Sequence, residues 1–165
     1  MRRLALIALP LFLTACQGEG RTTASTETSV DGQTVIEVNA TGPWCRPTPN
    51  GMDMTACYIT LTSSTGDRLT SIISPRAAQS TLHAVSTEGG VMSMSPMEDG
   101  LELPAGQAVA LAPGGDHIML TGVTVPLAEG DRVPLALTFE SGAQIALEAP
   151  VRADAPGGEP DHAAH

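Results

Sequence analysis

From Thr34 onward the chain never holds an apolar run for more than a few residues. "TVIEVNA", "CYITLTS", "RLTSIIS", "TLHAVST", "GVMSMSP", "AVALAP", "HIMLTGV", "VPLALTF" and "QIALEAPV" alternate apolar with polar positions. Such two-residue alternation fits half-buried strands, and no stretch keeps the 3.6-residue period of a helix. Between the runs stand "SSTGD", "TEGG", "LPAGQ", "PGGD", "LAEGD" and "ESGA", rich in residues that favour chain reversal. Many short strands punctuated in this way predict an all-β antiparallel sandwich or barrel. Trp44, Tyr58 and Phe139 are the only aromatics in that region, so its core must be aliphatic.

The ends read differently from the middle. Residues 1–15 open with Arg2 and Arg3, continue with an apolar run from Leu4 to Leu13, and close on small residues. That is the pattern of an export signal, too short to span a membrane. Leu13-Thr14-Ala15-Cys16 resembles the bacterial lipobox, which implies lipidation of Cys16 and anchorage to a membrane by fatty chains. The alternative is an ordinary secretory signal cut after Ala15, with Cys16 incidental. Residues 16–33 are polar and small, and predict a tether. Residues 34–152 are the domain. Residues 153–165 are again Pro/Gly-rich and polar, and predict a disordered tail.

The formal charge is −10, and becomes −12 once Arg2 and Arg3 are set aside. An acidic surface repels phosphate backbones, so nucleic acid is excluded as a partner. Cys45 and Cys57 remain after Cys16. In an oxidising compartment an isolated pair forms a disulfide, worth roughly 3 kcal/mol in the chain-entropy model. A pair of metal thiolates is the competing reading, although the spacing is not that of C-x-x-C sites.

One histidine and three methionines crowd into "LHAVSTEGGVMSMSPM", Leu82 to Met97. A hairpin centred on Glu88-Gly89 would pair Ser86 with Val91, Val85 with Met92 and His83 with Met94. Opposed residues have Cβ atoms about 4.5–5.5 Å apart. Met92 shares the face of Met94, because side chains alternate along a strand. His117 and Met119 also share a face, at the start of a strand that follows "PGGD". Two His/Met pairs on separate strands can converge. Neutral thioethers with imidazoles suit a soft monovalent ion, and Cu(I) is the obvious one. Zinc prefers thiolate, imidazole or carboxylate. No cysteine lies beside either pair, which argues against a blue-copper redox centre. Core packing of the methionines is the alternative reading.

His83, ten residues, Met94, a longer gap, then His117-x-Met119 resembles the signature of the periplasmic copper chaperones called PCuAC. The longer gap holds twenty-two residues, one more than in that pattern, and the extra residue is expected in the turn Met97–Gly100. "GLELPAGQAVALAPGGDHIMLTGV" and "PLAEGDRVPLALTFESG" are similar to the family's text, and the resemblance runs from about Trp44 to Arg152. It implies a cupredoxin-like Greek-key sandwich that binds one Cu(I) through His83, Met94, His117 and Met119. It implies delivery of copper to the dinuclear centre of cytochrome c oxidase subunit II or to another copper-assembly protein. Met92 matches a second methionine common in the family, a neighbour or alternate ligand. His162 and His165 in the tail resemble the His-rich tails thought to bind Cu(II), here as a weak second site. Cys45, Cys57 and Asp116 depart from the family's usual residues. Asp116 should point away from the ligand face.

These readings describe a binding module with no catalysis, located in the periplasm and held to a membrane. Copper buffering or resistance is the alternative in the same chemistry. A structural lipoprotein without metal is the alternative from another class. A disulfide oxidoreductase lacks its C-x-x-C motif, and no Ser/His/Asp set supports a hydrolase.

Overall fold

The structure, a computed structural model, describes residues 23–30, 33–88 and 90–153. The export signal, Cys16, His162 and His165 lie outside these residues. Among the described residues eleven strands follow one another: β1 (Thr23–Val30), β2 (Gln33–Cys45), β3 (Met54–Ser63), β4 (Asp67–Ile73), β5 (Gln79–Glu88), β6 (Val91–Pro96), β7 (Leu101–Leu103), β8 (Ala108–Leu111), β9 (His117–Thr121), β10 (Arg132–Phe139) and β11 (Gln144–Pro150). One sheet has the order β1-β2-β3-β9-β5-β6, with β8 paired to β3 beside β9. The second has the order β11-β10-β4-β7. All these strand pairs are antiparallel. The expected all-β sandwich is therefore borne out.

The core lies between the sheets and follows from alternation. β10 buries Val133, Leu135, Leu137 and Phe139, and β11 buries Ile145, Leu147 and Ala149. From the larger sheet Val38, Ala40, Ile59, Leu61, Ile118 and Leu120 meet them. Burying each large aliphatic side chain stabilises the fold by about 1.5–3 kcal/mol. Phe139 is the one phenylalanine in this core, so the packing is aliphatic as expected.

Cys45 and Cys57 are directly paired across β2 and β3 and form a disulfide. Both are fully buried on the core side of the sheet. The bond therefore staples the sheet from within.

Two strands were not apparent from composition. Thr23–Val30, within the stretch expected as a tether, is a strand that pairs with β2 from Thr23↔Thr41 to Val30↔Gln33. Its Thr-rich sequence "TASTETSV" is polar, which reads as linker, but threonine is β-branched and suits a strand. Leu101–Leu103 is a three-residue strand beside β4, too short to show a period. The turn before it requires glycine. Gly100 has φ +78°, and a Cβ there would collide with the Leu69 carbonyl.

Candidate metal centre

β9 is aimed by the turn that precedes it. Gly114 takes φ +80°, the Gly115 amide donates to Ala112 O (3.0 Å), and the Ala112 amide donates to Asp116 O (3.0 Å). His117 is thus the first residue of β9, as expected from "PGGD". β9 lies between β3 and β5, and His117 pairs directly with His83. Their ring centroids are 5.8 Å apart with planes inclined by 37°. Met119 lies one step along the same face, between Ala56 of β3 and Thr81 of β5. The alternate residues Ile118, Leu82 and Cys57 face the core. The His/Met row therefore occupies the outer face of the larger sheet.

The β5–β6 hairpin keeps the expected face but corrects the expected register. His83 pairs with Pro96, Val85 with Met94 and Thr87 with Met92. The last pair of the hairpin is Glu88↔Val91, which does not fit a turn centred on Glu88-Gly89. Gly90 has φ +81°, and two-residue hairpin loops favour glycine at such positions. The slip is an even number of residues, so Met92 and Met94 stay on the face of His83. Met94 is now a diagonal neighbour of His83, at a typical strand-to-strand diagonal of about 7–8 Å between Cα atoms. Its flexible side chain can cover that span. Met94 is 60% exposed and Met92 62% exposed, so neither is core.

The two imidazoles have different surroundings. His117 is only 7% exposed, and its Nδ1 lies 3.0 Å from Gly115 O. A carbonyl only accepts, so Nδ1 is the donor, and in the neutral ring Nε2 keeps a free lone pair. His83 Nδ1 is buried and has no hydrogen-bond partner among the described residues. An orphaned buried polar atom costs about 1–3 kcal/mol and calls for an explanation such as an ion. Burial, then the neighbouring His117, pushes the His83 pKa below its usual value. Both causes favour the neutral ring, the form that ligates metals.

The Asp116 carboxylate is engaged by the backbone. Its Oδ1 accepts a hydrogen bond from the Val85 amide at 2.9 Å. Among the described residues no group of three or more His, Cys, Asp or Glu gathers at one point. A site here would have to include thioethers, and Met119, His117, His83 and Met94 are consecutive neighbours on this face. This donor set fits Cu(I).

An aromatic extension of the row was missed from sequence. Tyr58 stands beside His117, with ring centroids 6.5 Å apart. Trp44 stacks on Tyr58 at 4.6 Å. The signal was present in the cysteines. Once Cys45 pairs with Cys57 on the core side, Trp44 and Tyr58 must pair on the opposite face.

The family described as "Putative lipoprotein LpqE-like" matches residues 38–151. "Putative lipoprotein Lxx21020" of Leifsonia xyli subsp. xyli is 29% identical over 152 residues, which are 92% of this chain and 89% of the relative. Among solved structures, the apo PCuAC domain from PmoF1 superposes with a TM-score of 0.58 at 22% identity, covering 79% of this chain and all of that domain. Cu(I)-bound DR1885 from Deinococcus radiodurans is 28% identical with a TM-score of 0.55, covering 68% of this chain and 76% of that one. The first likeness establishes the sandwich fold.

Proposed function

The chain belongs to the LpqE-like family, and we propose that it is a copper chaperone that holds one Cu(I) through His83, His117, Met119 and Met94. The observation that carries this reading is the pairing of His83 with His117 on one face that also bears Met119 and Met94. The likeness to Cu(I)-bound DR1885 supports it.

The mechanism follows from the donors. All four are neutral, so the metal is held by soft coordination and not by charge. His117 is fixed by Gly115 and supplies a rigid Nε2. Met94 is open to solvent and is the first ligand an incoming donor can displace. Transfer proceeds by stepwise ligand exchange, with the metal remaining Cu(I). The acceptor is the dinuclear copper centre of cytochrome c oxidase subunit II or another copper-assembly protein. The family's name supports a lipoprotein, and in this reading the chain is anchored through Cys16 and faces the periplasm. His162 and His165 offer a weak Cu(II) site on the tail.

The test is an anaerobic Cu(I) titration against a competing chromophoric ligand. One equivalent bound, and weakened sharply by Met94→Ala and by His117→Ala, supports the reading. No binding, or binding unchanged in both variants, overturns it and leaves the methionines as surface packing.

A further inference from the structure

The outer face of the larger sheet carries more soft donors than a single ion needs. Met54 opens β3 and pairs with Thr121, while Ala56 pairs with Met119. Met54 is therefore the diagonal neighbour of Met119, on the same face, on the side away from Met94. Along the sheet the donors then run Met54, Met119, His117, His83, Met94, Met92, from β3 to β6. Each step is a same-strand, direct or diagonal neighbour, a typical Cα–Cα spacing of up to about 8 Å. The His/Met centre is the middle of this diagonal.

Met54 is 37% exposed and does not belong to the core. Its backbone is held in place, because the adjoining Asp53 O accepts the Val123 amide at 2.8 Å. Ala56, the next residue on that face, is too small to stand between the two thioethers. A long, flexible thioether at this point has open access to Met119 and to solvent.

We infer that Met54 is a transfer ligand: with Met119 it forms an accessory Cu(I) station on the β3 side, through which copper enters or leaves the His/Met centre. This inference rests on the copper reading above. In the exchange, a bond from Met54 Sδ to the metal forms as the bond to Met94 or His83 breaks. The Met119 bond is kept. The ligands are neutral, so no electron is transferred and copper remains Cu(I).

Two measurements on the full chain test this. The first is NMR of ¹³C-methyl-labelled methionine during titration with Ag(I), a redox-silent substitute for Cu(I). The Met54 methyl should shift together with those of Met94 and Met119, while Met97, packed against the core, stays in place. The second is the rate of Cu(I) release to a chromophoric chelator. Met54→Leu conserves volume and should slow release about tenfold while affinity changes less than about threefold. Met52→Leu, an exposed methionine outside the strand, should leave the rate unchanged. If Met94 and Met119 shift but Met54 does not, or if Met54→Leu releases copper at the wild-type rate, the inference is overturned and the His/Met centre stands. Equal slowing by Met52→Leu overturns it too. If no methionine methyl shifts, the copper reading itself fails, and this inference with it.

Discussion

The Asp116 carboxylate accepts a hydrogen bond from the Val85 amide at 2.9 Å, just past the point where His83 and His117 pair. The β5–β9 ladder ends there, because the chain before Asp116 bends away through Gly114 and Gly115. A side chain thus supplies the acceptor that a continuing strand would have supplied. This tie holds β5 against β9 beside the two imidazoles.

Asp116→Ala should therefore leave the Val85 amide without its partner and loosen the His83–His117 pair. The expected cost is about 1–3 kcal/mol of stability, with weaker Cu(I) binding. Asp116→Asn keeps an acceptor and should restore most of both. Denaturant midpoints and competition titrations on the two variants check this.

The disulfide and the donors lie on opposite faces of one sheet. Replacing Cys45 and Cys57 together by alanine should cost roughly 3 kcal/mol. Copper stoichiometry should stay at one. Thermal unfolding with and without reductant, beside a Cu(I) titration, separates the two effects.

Met94 and Met97 offer a contrast three residues apart. Met94 is 60% exposed on the donor face, whereas Met97 packs against the core. Met94→Leu should weaken Cu(I) binding by at least about tenfold while changing stability by less than about 0.5 kcal/mol. Met97→Ala should do the reverse, lowering the melting temperature and sparing affinity.

Acid should destabilise the metal-free protein through His83. Its folded pKa is below the ordinary value of 6.5. Between those two values the unfolded chain binds the proton and the folded chain does not, so stability rises with pH in that window. The contribution is present well above pH 6.5 and is lost as pH falls from 6.5 through the lowered value. His83→Gln should flatten that part of a stability–pH profile measured by urea denaturation.

Much of this was legible in the chain because alternation is a local signal. β10 and β11 show each side chain's face without reference to a partner strand. β1 was not legible, since "TASTETSV" offers no apolar stripe and is identified as a strand only by its pairing with β2. The hairpin register differs by two residues because two adjacent glycines in the sequence leave the turn's centre open, and only the pairing Glu88↔Val91 fixes it. The donors could be named from type and spacing, and the even slip preserved their face. The contact between His83 and His117 could not be read in this way. It depends on β9 inserting between β3 and β5, a non-local pairing that no spacing encodes. Alternation assigns Asp116 a face but no partner, and its hydrogen bond with Val85 appears only once those strands meet.

The most direct measurement is X-ray absorption at the copper edge on the full chain loaded with one equivalent of Cu(I). The account predicts a nearest shell of two imidazole nitrogens and two thioether sulfurs, with one sulfur lost in Met94→Leu. A shell of nitrogen and oxygen alone, or one that Met94→Leu and Met119→Leu leave unchanged, would contradict it.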